Sequence, residues 1–229
     1  DQLIARLTAR TPTSKRMTQE SRSYLADPRT VASFRLPWKE IVYPIVSTRS
    51  AGSKIWDVDG NEFIDVAMGF GVNLFGHSPD FITQAVQEQL QQGVEIGPQS
   101  PLTGKVARLI SEFTGMERVA FCNTGSEAVL AAIRTARTVT GNSKLVTFSG
   151  DYHGLFDEML ARPVISNGQR RSVPIAPGIP AHMVQDLTVL EYANPESLTI
   201  IRQMADELAA VIVEPVQSRH PDLQPKEFL

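Results

Sequence analysis

The stretch Phe121-Cys122-Asn123-Thr124-Gly125-Ser126-Glu127-Ala128 constrains this chain more than any other. An apolar, β-like run turns through Gly-Ser directly into a helical pattern, which leaves free backbone N–H groups and a hydroxyl at a helix N-terminus, a ready seat for phosphate. After a further strand-like run comes Gly150-Asp151-Tyr152-His153-Gly154, a flat aromatic at a strand end that can cover a ring carried by such a phosphate. The pair points to a phosphorylated aromatic cofactor. Thr124-x-x-Glu127 is also a capping box, which satisfies orphan N–H groups with no ligand at all. On local sequence both readings stay open, and capping geometry is compatible with a bound phosphate.

The surrounding pattern is α/β. Strand-like runs at 118–123, 144–148 and 209–214 alternate with a helix from Gly125, carrying Val129, Ala132, Ile133 and Ala136 on one face, a Pro-rich loop, and a helix from Pro195. Such order gives a largely parallel sheet, and Ala210-Val211-Ile212-Val213, apolar without alternation, reads as a central strand. Ligands of these sheets sit beyond the carboxyl ends of the strands, where Thr124-Gly125-Ser126, Asp151-Tyr152-His153 and Glu214 all fall.

The front of the chain is of another kind. Residues 1–50, broken by Pro12, Pro28, Pro37 and Pro44, read as a surface arm or linker with a weak helical period. Residues 51–103 hold a β-hairpin around Asp59-Gly60, then a helix with Ser78 as N-cap, Pro79 in its first turn and Gly93 as its stop. A further helix is marked by Leu102, Val106, Leu109, Ile110 and Phe113, and residues 104–229 form the front of the sheet domain.

Composition removes several function classes. Lys+Arg 22 against Asp+Glu 25 with no block of like charge argues against nucleic acid as a partner. One cysteine, Cys122, excludes an intrachain disulfide, and no apolar run approaches a membrane span of about 20 residues. A cytoplasmic chain is expected. It begins without Met and without the apolar core of a signal peptide, so it reads as a piece of a larger protein.

Taken together, Trp56-Asp57-Val58-Asp59-Gly60-Asn61, Gly76-His77-Ser78-Pro79, Asn123-Thr124-Gly125-Ser126-Glu127-Ala128, Gly150-Asp151-Tyr152-His153-Gly154 and Glu214-Pro215-Val216 resemble the class III pyridoxal-phosphate aminotransferases of fold type I, in the branch of glutamate-1-semialdehyde aminomutase. Tyr43-Pro44-Ile45-Val46, Pro177-Gly178-Ile179-Pro180 and Gln217-Ser218-Arg219 look like the aminotransferase domains of hybrid polyketide/non-ribosomal peptide synthetases. The resemblance implies pyridoxal 5′-phosphate held by Thr124, Gly125, Ser126, Tyr152, His153 and Glu214, with Tyr152 stacked on the pyridine ring. It also implies an aspartate on the pyridine nitrogen and a lysine bonded to the cofactor. In the family both follow the Glu-Pro-Val segment, and the chain's six lysines lie in none of the matching contexts. The chain therefore reads as an incomplete large domain.

Simpler readings stand beside these. His153 is as well explained as a hydrogen-bonded structural histidine, Glu214 as an ion-pair partner rather than the site wall, and Asp57 and Asp59 as turn residues without a metal. Cys122 is expected as a small buried residue beneath the site. The resemblance places Phe70 and Arg35 at the substrate, and Arg219, where related enzymes carry a neutral or acidic residue, is a candidate for a donor carboxylate or a phosphopantetheine phosphate. The expected function is transfer of an amino group from a small-molecule donor to a keto or aldehyde carbon, including that of a β-ketoacyl chain on an acyl carrier domain, by a homodimer. An aminomutase reaction and a non-catalytic scaffold are the alternatives.

Overall fold

The computed structural model describes residues 2–26, 35–94, 97–166 and 168–229; Pro28 in the expected arm lies outside them. The chain forms two compact units, Asp1–Ser100 and Pro101–Leu229.

The first unit opens with helices α1 (Gln2–Arg10) and α2 (Pro12–Ser21), where only an arm with a weak helical period was expected. Their stability comes from partners far along the chain. Asp59 accepts a hydrogen bond from Thr13 N–H at 3.1 Å, so a carboxylate sits at the positive end of α2. Ser14, fully buried, accepts from Val46 N–H at 3.0 Å, and buried Thr11 is bonded to the Tyr43 hydroxyl at 2.8 Å. Strands β1 (Ser47–Ala51), β2 (Lys54–Asp57) and β3 (Glu62–Ile64) form an antiparallel sheet in that order, so the expected hairpin gains a third strand. Asp57 organises the β2–β3 turn by accepting from Asp59 N–H (3.0 Å), Asn61 N–H (2.7 Å) and the Asn61 side-chain amide (2.8 Å).

Helix α3 (Asp80–Gln92) follows, stopped at Gly93 as expected, but Ser78 is not its cap. Ser78 lies at φ +51°, and Pro79, extended at φ −63° and ψ 138°, occupies the cap position without a side-chain bond. With Ser78 in the left-handed region and Pro79 extended, the helix starts one residue later, at Asp80. All buried side chains described in this unit are polar: Thr11, Ser14 and Asp57.

The second unit carries the hydrophobic core. After helix α4 (Leu102–Thr114), residues 118–123 form no strand, because no described strand runs alongside to accept their ladder bonds. Helix α5 (Gly125–Thr140) leads to β4 (Lys144–Phe148), the middle of a parallel sheet ordered β7 (Leu187–Leu190), β4, β8 (Leu208–Val211). The expected central strand is thus β8 at an edge, with Val211 41% exposed, while Leu145, Val146, Thr147 and Phe148 of β4 are all buried. Alternation along β4 feeds two clusters. Leu145 packs with Ile133 of α5, Leu187 and Val189, whereas Val146 and Phe148 pack with Leu190 and Tyr192.

Between β4 and β7 the expected loop folds into an antiparallel hairpin, β5 (Ala161–Ser166) with β6 (Gln169–Pro174), packed on β7. Helix α6 (Pro195–Gln203) starts as expected, with proline in its first turn and the Asn194 side chain accepting from Glu196 N–H at 3.0 Å.

Candidate active site

The second unit gathers three chain segments beyond the carboxyl ends of β4 and β8. The first is the N-terminus of α5. Thr124 Oγ1 accepts from Glu127 N–H at 3.2 Å, and Glu127 Oε2 accepts from the N–H groups of Asn123 and Thr124 at 2.9 Å each, so the capping box is complete. It consumes the third N–H of the helix and leaves those of Gly125 and Ser126 with no acceptor among the described residues. Ser126 Oγ accepts from Leu155 N–H at 3.2 Å, which leaves its own hydrogen to donate. The cap and the uncommitted donors therefore occupy different groups of one helix end, and the capping reading does not displace the phosphate reading.

The loop after β4 is the second segment. Asp151, its side chain 1% exposed, accepts from Gln217 Nε2 at 2.6 Å and from Glu214 N–H at 3.1 Å, and lies 3.2 Å from His153 Nε2. The third segment, 212–218, answers it. Glu214 makes no ion pair among the described residues; its carboxylate accepts from Tyr152 N–H at 3.2 Å and Ser218 N–H at 2.9 Å. Gln217, 2% exposed, also donates to the Ser149 carbonyl at 2.9 Å. Buried polar groups are costly unless bonded, so this closed exchange of donors and acceptors fixes the two loops against each other. Tyr192 completes the wall by donating to the Pro215 carbonyl at 2.7 Å; burial, with the Asp151 charge second, pushes its hydroxyl above the usual tyrosine value.

Thr124, Gly125 and Ser126 form the helix end, and the Tyr152 ring, in a residue 49% exposed, stands free beside its pinned backbone. His153 is buried against Asp151 and serves inside the network. Glu214 holds the loops together through backbone amides. Arg219 is exposed in the turn after Gln217 and makes no ion pair or side-chain hydrogen bond among the described residues. Arg35 and Phe70 belong to the first unit: Arg35 stacks 5.1 Å over the Trp38 ring, and Phe70 is fully exposed at φ +56°. Cys122 is exposed, not buried, because the segment before α5 is not covered by a strand.

Sequence reasoning passed over Asp151, Gln217 and Gly154 as working residues. Gly154 lies at φ +114°, and a Cβ there would meet Ser126 Oγ at 2.6 Å. The signal for it was the glycine itself, directly after the aromatic; Asp151 and Gln217 gave none, since their pairing spans 66 residues.

The sequence profile of the aminotransferase class-III family matches residues 37–227. Glutamate-1-semialdehyde 2,1-aminomutase of Methanosphaera stadtmanae is 37% identical over 187 residues, 81% of this chain and 44% of the relative. The enzyme of the same name from Aquifex aeolicus is 36% identical over 189 residues, again 81% of this chain and 44% of its own length. Among solved structures, a transaminase with PLP bound superposes with a TM-score of 0.82 at 28% identity, covering 96% of this chain and 51% of that one. An omega-transaminase from Sphaerobacter thermophilus superposes with a TM-score of 0.78 at 28% identity over 89% of this chain and 47% of its own. The chain spans about half the length of the curated relatives it matches.

Proposed function

The chain belongs to the class-III aminotransferase family, and on that premise we propose that it forms the phosphate-binding half of a pyridoxal 5′-phosphate enzyme that moves an amino group from a small-molecule donor to a keto or aldehyde carbon. The observation that carries this reading is the open helix end: the N–H groups of Gly125 and Ser126 and the Ser126 hydroxyl are three donors at one helix terminus, left over after the cap is complete. A Cβ on Gly125 would meet nothing within 4 Å, which suits a bulky phosphate at that end. Tyr152 would lie along the ring, its backbone set by Glu214. When bound, the cofactor supplies an electron sink for amino-group transfer. This chain's residues hold and orient it: Ser126 fixes the phosphate, and Asp151, Gln217 and Glu214 hold the loop that carries Tyr152.

The second reading, an aminomutase, is favoured by the curated relatives, which carry the name glutamate-1-semialdehyde 2,1-aminomutase. A β-ketoacyl acceptor on an acyl carrier domain rests only on the Tyr43-Pro44-Ile45-Val46, Pro177-Gly178-Ile179-Pro180 and Gln217-Ser218-Arg219 resemblance, with Arg219 as the contact. A second copy is the proposed cover for the first unit, which buries no large apolar side chain among its described residues and exposes Val66, Phe70, Val72 and Leu74. No helix among the described residues is long and apolar enough to cross a membrane.

The test uses the intact protein loaded with pyridoxal phosphate. Given an amino donor and a keto acid it should exchange the amino group; given glutamate-1-semialdehyde alone, an isomer with the amino group moved from carbon 2 to carbon 1 would establish the second reading. No amino-group movement in either assay overturns both.

A further inference from the structure

We propose a second anion-binding site, in the cleft between the β5–β6 hairpin and β7, that takes the oxyanion group of a small molecule, a phosphate ester or a carboxylate. The cleft encloses about 320 Å³ and is lined by Arg170, Arg171, Ser172, Gln185 and Thr188, so its charged groups are all cationic. Its neutral polar groups are two hydroxyls and an amide, each able to donate.

The hairpin carries Arg162, Arg170 and Arg171 and no acidic residue between 161 and 174. None of the three makes an ion pair or a side-chain hydrogen bond among the described residues. The acid nearest in sequence, Glu158, is already engaged with Arg137 at 2.6 Å. Arg170 is partly buried, and Arg162 and Arg171 are exposed. An unpaired guanidinium is free to take an anion, and its fork matches the paired oxygens of phosphate and carboxylate. Antiparallel pairing fixes the backbone register, with Arg170 opposite Ile165 and Arg171 opposite Val164; successive strand residues face opposite sides, so the two arginines reach the cleft from different faces of β6, Arg170 as its partly buried lining and Arg171 as its exposed lining. The cleft is separate from the helix end at Gly125 and Ser126, and the inference stands without the cofactor reading.

Calorimetric titration of the intact protein with pyrophosphate, and separately with succinate, tests it. Because the α5 N-terminus also attracts phosphate, the titration is repeated on Ser126→Ala and on Arg170→Gln/Arg171→Gln. We expect one binding event to persist in Ser126→Ala and to weaken about tenfold or more in the arginine double variant. Binding of pyrophosphate alone assigns the phosphate source, and binding of succinate alone the carboxylate. Should the double variant not fold, backbone amide shifts of the wild-type protein give the answer: shifts at Ser172 and Thr188 support the site. No shift there, or equal binding by a folded double variant, overturns it.

Discussion

Gly154 lies so close beneath Ser126 that a Cβ on the glycine would fall 2.6 Å from Ser126 Oγ and 2.9 Å from its Cα. The loop after β4 and the first turn of α5 thus touch backbone to backbone, and Leu155 N–H donates to Ser126 Oγ at that contact. Gly154→Ala must displace the helix end and also accept φ +114°. The expected cost is about 3 kcal/mol or more. Gly150 also lies at positive φ (+95°), but the atoms nearest a Cβ there belong to the Gln217 side chain, at 3.0 Å or more, rather than to backbone, so Gly150→Ala should cost less than Gly154→Ala. Chemical denaturation of the two variants compares them, and an equal loss would refute the close-approach argument.

The Asp151–Gln217 bond is the second point of test. Gln217→Leu leaves the buried Asp151 carboxylate and the Ser149 carbonyl without that donor, at an expected cost of about 1–3 kcal/mol. A double-mutant cycle with Asp151→Asn should return a coupling of about 1 kcal/mol or more. Additive losses would mean that the two loops are held by other contacts.

Much of this architecture is legible in the sequence. Lys144–Phe148 is a short apolar run, Asn194-Pro195 and Thr124-x-x-Glu127 announce helix starts, and Asp59-Gly60 marks the hairpin turn, all local signals. What escaped depends on distant partners. Helix α2 is polar apart from Pro12 and Met17 and has its first turn bonded to Asp59, 46 positions from Thr13, while β5 and β6 contain Pro163, Pro174 and three arginines and show no clean alternation. At the site, the phosphate-seat residues were legible from Thr124-Gly125-Ser126, whereas the clamp that sets Tyr152 was not, because Asp151 meets Glu214 and Gln217 only after the sheet has formed. The position of β8 at the sheet edge was equally hidden, since an apolar run does not say how many neighbours it has.

Asp65 gives a pH signature. Met68 N–H first, then His77 Nε2 at 2.8 Å, hold its carboxyl below the usual aspartate value. A lowered value means stability that is complete above the ordinary carboxylate range near pH ~4 and is lost as pH falls through the lower, folded value. The thermal midpoint of the wild type should therefore drop through that acid window more steeply than that of Asp65→Asn. Parallel acid profiles would rule out the contribution.

None of the chain's six lysines belongs to the three segments that build this site. Lys15 is paired with Glu40 at 2.8 Å, Lys54 with Glu62 at 2.6 Å and Lys144 with Glu207, and Lys39, Lys105 and Lys226 lie outside the three segments that build it. After incubation of this chain with pyridoxal phosphate and borohydride, peptide mapping should find only scattered, substoichiometric labelling. One stoichiometrically labelled lysine would contradict the assignment.

We propose that the α5 N-terminus is a phosphate seat as well as a capped helix end. The affinity of the intact protein for pyridoxal phosphate, measured for wild type and Ser126→Ala alongside apo thermal stability, tests it most directly. Losing one hydrogen bond to a charged phosphate, about 1.5–3 kcal/mol, should weaken binding on the order of tenfold to a hundredfold, with the apo midpoint nearly unchanged because Thr124 and Glu127 keep the cap. Unchanged cofactor affinity together with a lowered apo midpoint would contradict the claim and leave the helix end a cap alone.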